Sequence, residues 1–128
     1  MRTLKTYELY EAENFFNGKN LTKLPELSNT IIRLYCWDNK LTGLPKLPNK
    51  LDRLFCWNNE LSKLPKLPST LKTLRCRNNN LNELPELPKS LESLSCGKNN
   101  LPYNDINSYW LWFYNKYPEK KVAIEFNI

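Results

Sequence analysis

The string LxxLxCxxNxLxxLPxLPxx fills residues 31–50, 51–70 and 71–90, with Ile31 in the first leucine place, then restarts at Leu91 and stops after Leu101. Identical letters at identical offsets mean that each segment makes one coil and meets its neighbours in the same way. A coil this short cannot bury its own leucines, so they become a core only when coils stack. The chain therefore reads as a solenoid. The letters that return build it, and the letters that change between coils are free to do something else.

The first half of each coil alternates. Leu54 and Cys56 fall on one side of an extended segment, and Arg53 and Phe55 on the other. Stacked segments of this kind make a parallel sheet with the Leu and Cys side turned to the core. The second half, LxxLPxLP, excludes an ordinary helix. Pro45 and Pro48, Pro65 and Pro68, and Pro85 and Pro88 fix φ and remove backbone donors. A polyproline-like extended path suits them, with Leu44, Leu47 and their equivalents inward. The expected architecture is thus a thin coil with a parallel β-sheet on its concave face and extended backbone on its convex side. Asn39, Asn59, Asn79 and Asn99 mark the turn out of the sheet. Their amides are expected to pair with backbone groups of their own turn and of the next coil.

Both ends break the pattern. The sequence divides into an N-terminal cap over 1–20, repeats over 21–104 (four to five coils), and a C-terminal cap over 105–128. Phe16 and Leu21 align with the Cys and Leu places of a degenerate first coil, while Glu11 and Asn14 replace its leucines. Residues from Thr3 to Phe16 are expected to shield that coil as a strand or a short helix. Downstream, Asn104 or Asp105 offers an N-cap for an amphipathic helix containing Ile106, Tyr109, Trp110, Trp112 and Phe113 and ending near Tyr117-Pro118. Val122–Phe126 then alternates as a final strand. Trp110, Trp112 and Phe113 are expected to cover the leucines of the last coil.

Cys36, Cys56, Cys76 and Cys96 repeat every twenty residues and so form one column inside the stack. Parallel side chains on neighbouring coils hold their Cβ atoms farther apart than a disulfide prefers. A straight column cannot converge four sulfurs on one zinc ion. The expectation is four buried free thiols and no metal or other cofactor, which fits a reducing compartment. Glu8, Glu11 and Glu13 stand where a secretory signal needs an apolar segment, and no apolar run is long enough for a membrane span. The expected location is the cytoplasm, without membrane attachment.

The positions that vary lie between the core letters. Arg33, Tyr35 and Trp37 of one coil match Arg53, Phe55 and Trp57 of the next, then Thr73, Arg75 and Arg77, then Ser93, Ser95 and Gly97. Large aromatics bracketed by arginines occupy one end of the face and small polar residues the other. Trp, Tyr and Arg are the types most enriched at binding hot spots. The same rings also have reason to pack on one another and stiffen the ladder. The candidate site is therefore Arg33, Tyr35, Trp37, Arg53, Phe55, Trp57, Arg75 and Arg77.

LYCWDNKLTGLPKLP (Leu34–Pro48) and LFCWNNELSKLPKLP (Leu54–Pro68) resemble the short leucine-rich repeats of bacterial effectors delivered into host cells, and repeat proteins of giant DNA viruses. The resemblance implies a leucine-rich-repeat solenoid that recognises a protein, and for an effector or viral protein a place in the host-cell cytoplasm. Some bacterial relatives carry a C-terminal ubiquitin-ligase domain with a catalytic Cys. Residues 105–128 contain no Cys, so that activity is not carried over.

Three functions then compete. The first is a non-enzymatic protein-binding module using the aromatic and arginine face. The second is nucleic-acid or polyanion binding through the same arginines, favoured by the net charge of +6 but opposed by Asp38, Asp52 and Glu92 within the basic field. The third, an enzyme, lacks a recognisable base or activated nucleophile, since the chain has no His. Self-association through sheet edges or the aromatic patch is a further possibility.

Overall fold

The computed structural model describes residues 13–102, 106–116 and 123–125. Six short strands form one parallel sheet: β1 (Glu13–Phe15), β2 (Arg33–Tyr35), β3 (Arg53–Phe55), β4 (Thr73–Arg75), β5 (Ser93–Ser95) and β6 (Ala123–Glu125). They lie side by side in chain order. Among the described residues one helix, α1 (Ile106–Lys116), lies between β5 and β6. The expected shield before residue 13, the N-cap at Asn104 or Asp105, the helix end at Tyr117-Pro118 and the surroundings of Trp110 lie outside what is described.

The register repeats the sequence period. Leu34 pairs with Leu54, Leu54 with Leu74 and Leu74 with Leu94, so like always meets like across the strands. The first pairing is Asn14 with Leu34, which shows that the degenerate coil enters the sheet although it lacks the leucine. Ladder bonds continue past the strands: Cys36 N–H donates to Phe55 O at 2.9 Å and Asp38 N–H to Trp57 O at 3.1 Å. Each coil is thereby zipped to the next over its whole first half.

Alternation puts the core where the spacing predicts. Leu34, Leu54, Leu74 and Leu94 are completely buried, as are Leu41, Leu61 and Leu81 after the turn. Leu47, Leu67 and Leu87 close the core from the proline-rich side, where the chain forms neither helix nor strand. Leu44 is only half-buried, unlike its equivalents Leu64 and Leu84. Phe113 of α1 is the largest fully buried side chain and belongs to the same apolar cluster, and Trp112 packs against that cluster more loosely.

Leaving the sheet requires a left-handed residue in each coil, at Gly18, Asp38, Asn58, Asn78 and Lys98, all with φ between 53° and 64°. Asn and Asp tolerate this conformation far better than other side-chain-bearing residues. Three of these turns are also tied together sideways: Asn58 Nδ2 donates to Asp38 Oδ1 and Asn78 Nδ2 to Asn58 Oδ1, both at 2.7 Å.

The next residue is the recurring Asn. Asn59 Nδ2 donates to Cys36 O at 3.0 Å, Cys56 O at 3.1 Å and Trp57 O at 3.3 Å, while its Oδ1 accepts from Leu41 N–H at 3.1 Å. Asn79 and Asn99 repeat the arrangement one and two coils on. In the first coil Lys19 stands where an Asn is due, and Asn39 accepts there from both Lys19 N–H and Leu21 N–H at 3.0 Å. One amide thus satisfies backbone groups of two coils.

All four cysteines are buried free thiols. Burial pushes the Cys36 thiol up to about 12 and raises Cys56 and Cys76 well above the ordinary range, since a thiolate there would lose its water and face its neighbours in the column. Thiol reagents at neutral pH should therefore label the native protein slowly and the denatured protein at all four sites. Fast labelling of two or more native thiols would overturn the inward column.

Candidate functional site

Because Leu34 and Cys36 point to the core, Arg33, Tyr35 and Trp37 must point away from it, and the same holds one coil on. The common register turns these side chains into columns, so that Arg33 lies beside Arg53, and Tyr35 beside Phe55 and then Arg75. Asn58 N–H donates to Arg77 O at 3.0 Å and Asn78 N–H to Gly97 O at 2.9 Å, which keeps Trp37, Trp57, Arg77 and Gly97 in step beyond the strand ends.

The rings make one continuous cluster. Trp37 and Trp57 stack with centroids 4.5 Å apart and planes 7° from parallel. Tyr35 meets Phe55 at 5.2 Å and Trp37 at 5.7 Å, and Phe55 meets Trp57 at 5.5 Å. The column continues upstream: Phe15 of the degenerate coil stacks on Tyr35 at 5.0 Å and is 49% exposed. Phe15 is absent from the candidate residues read from the sequence. Counting back twenty places from Tyr35 finds it, but the missing leucine at Asn14 hides the period there.

Tyr35 differs from the sequence expectation. It lies on the solvent side of the sheet yet is only 8% exposed, because Phe15, Trp37 and Phe55 crowd it from three sides. It supports the patch from beneath, while Trp37, Phe55 and Trp57 are half-buried and offer their rims. The small end differs too, since Ser95 and Gly97 are buried, Ser93 is half-buried, and only Glu92 and Lys98 of that coil are exposed beside them.

Arginines border the rings on two sides. Arg75 carries its guanidinium 4.8 Å above the Phe55 ring centroid, a cation–π contact that holds a planar cation against an aromatic face. Arg77 follows Trp57 in its column, and Arg33 and Arg53 form the neighbouring one. Arg53 Nε lies 3.9 Å from Asp52 Oδ2, a loose, partly exposed pair. All eight candidate residues thus share one face, with Tyr35 beneath it.

Little else on the described residues looks like chemistry. No group of three or more His, Cys, Asp or Glu among them is placed to hold a metal ion. A shallow concavity of about 610 Å³ runs along the proline side past Leu47, Leu67 and Leu87, with Lys46, Lys66 and Lys89 at its rim. Its apolar lining comes from repeated scaffold positions, whereas the ring face comes from the positions that vary.

No protein-family model and no curated protein matches this chain. Among solved structures, the chain is similar to a Shigella effector LRR domain at 24% identity, with a TM-score of 0.49, over 96% of this chain and 85% of that one. It is also similar to YopM from Yersinia enterocolitica WA-314 at 28% identity and a TM-score of 0.49, over 84% of this chain and 27% of that one. YopM, a leucine-rich effector protein from Yersinia pestis, matches at 23% identity and a TM-score of 0.49, over 90% and 50%. The chain thus spans about a quarter and a half of the two Yersinia proteins. The assignment to a leucine-rich-repeat solenoid rests on the strand register and on the repeat itself.

Proposed function

We propose that this chain is a non-enzymatic recognition module that binds a protein partner across the sheet face formed by Phe15, Trp37, Phe55, Trp57 and the bordering arginines. The observation that carries the proposal is the unbroken aromatic cluster, half-open to solvent and pinned by mutual stacking. Rigid rings lose little freedom on binding, so the area they bury contributes nearly in full. The reading includes no cofactor. It places the protein in a reducing cytoplasm, that of a host cell if it is a delivered or viral protein, in keeping with the free thiols. No helix among the described residues is long and apolar enough to cross a membrane.

Nucleic-acid binding is the weaker reading for a geometric reason. Base stacking needs an open ring face. Trp37 and Trp57 turn one face each toward the other, and Arg75 stands over Phe55, so mainly rims remain.

Trp57→Ala tests the proposal. Capture from a lysate of the source or host should identify a partner, and the variant should bind it about 2 kcal/mol more weakly, roughly thirtyfold. Glu92→Ala, exposed beyond the rings, should bind as wild type does. Thermal melts of both variants are needed, because Trp57 also supports Trp37. Unchanged affinity with Trp57→Ala would move the site elsewhere. Parallel losses of affinity and stability would assign the rings to packing alone.

A further inference from the structure

We infer that the segment seated on this face is acidic: an extended stretch of a partner protein with carboxylates two residues apart that lie on Arg75 and Arg77, beside an apolar side chain on Trp57. The inference rests on the sheet face being the binding face and adds what chemistry it selects.

Of the described acids beside the ring cluster, Asp38 accepts from Asn58 at 2.7 Å and Asp52 lies 3.9 Å from Arg53. Arg75 and Arg77 form no ion pair with any described residue, and neither Nε has a hydrogen-bond partner among them. Two guanidinium groups, one at the end of β4 and one just past it, therefore stand without a counter-charge among the described residues, next to half-open rings.

Arg75 and Arg77 are two residues apart on one extended segment, so their backbones are about 6.6 Å apart and their side chains share a side. Alternate side chains of any extended peptide repeat at the same distance. A segment lying along β4 with acids at alternate positions can thus place one carboxylate on each arginine. The neighbouring coil, about 4.8 Å away, brings Phe55 and Trp57 under the rest of the ligand.

The Phe55 ring holds the Arg75 guanidinium at 4.8 Å, and burial of both Nε atoms pins the stems of Arg75 and Arg77 against the face. A planar guanidinium fixed in advance loses less freedom when it takes a carboxylate by two parallel hydrogen bonds. Lysines would give the same charge without that fixed fork. The frame selects carboxylates, and the rings select an apolar neighbour.

Fluorescence anisotropy with a labelled ten-residue peptide of alternating Glu and Tyr tests the inference, with the Gln-for-Glu peptide and a labelled ten-nucleotide oligo-dT as comparison probes, all at 150 mM salt. Wild type should bind the Glu peptide at least tenfold more tightly than the Gln peptide. Arg75→Gln/Arg77→Gln should erase that preference, while Trp57→Ala should weaken both peptides and keep the preference. Should the double variant melt early, Arg77→Gln alone should reduce the preference at least threefold. Equal binding of the two peptides by wild type, with both still weakened by Trp57→Ala, would overturn the acidic segment and leave the sheet face in place. Binding untouched by any of these variants would overturn both. Oligo-dT bound as tightly as the Glu peptide would replace the acidic protein segment with a general anion site, and failure of wild type to bind the Glu peptide at all would also reject the inference.

Discussion

Asn59→Ala should lower the stability of the fold by about 3–5 kcal/mol, a large share of the 5–15 kcal/mol typical of a domain. The amide it removes accepts from Leu41 N–H and donates to Cys36 O and Cys56 O, all buried. No water can enter a packed leucine core to replace it, and each orphaned group costs about 1–3 kcal/mol. Urea unfolding measures the loss, and the size should follow position. Asn79, with buried bonds to Leu61, Cys56 and Cys76, should match Asn59. Asn99, only part-buried, should matter less, and exposed Asn80 should change stability by less than about 0.5 kcal/mol. Equal effects at Asn59 and Asn80 would show that the amide column does not join the coils.

Removing residues 105–128 should abolish cooperative folding. Phe113 is 1% exposed within the leucine cluster, and β6 pairs with β5. Without them the last coil presents Leu84, Leu87, Leu91, Leu94 and Leu101 to water, together with an unpaired strand edge. The truncated chain should aggregate or melt far below the full one in calorimetry and light scattering. Phe113→Ala, expected to cost about 3–5 kcal/mol, separates loss of the helix from loss of the strand. A truncated chain that stays monomeric and equally stable would free α1 from the core, and its exposed Leu111 and Tyr114 would become the leading surface for a partner.

The repeat made most of this architecture legible. Alternation about Leu54 and Cys56 gave the buried side of each strand, and a constant period gave the register, because a one-residue slip would set the leucines against outward-facing residues. Legibility fails where the period fades. Glu11, Asn14 and Lys19 replace repeat letters, so the first coil was legible only as a degenerate one, with strand and helix both open for the stretch that ends at Phe16, although β1 pairs with β2 as the later strands pair. The face was legible as a set of columns, but not which of its members water reaches. Period two says that Tyr35 leaves the core. Only the sizes and tilts of Phe15, Trp37 and Phe55 decide that it is covered. The left-handed turn was hinted at by Asp38, Asn58 and Asn78, while Lys98 adopts it with nothing in its side chain to favour it.

The constant offset between neighbouring coils also makes the chain a set of exchangeable tiles. Each bond from a recurring Asn to a neighbouring coil spans 18, 20 or 23 residues, never two coils, so no internal coil depends on its absolute place in the series. An in-frame duplication of 51–70 would add one rung carrying Phe, Trp and Arg and leave every junction as it was. A deletion would shorten the ring face by the same step. The reach of the ring face can therefore lengthen or shorten by one coil at a time while the scaffold between coils stays intact.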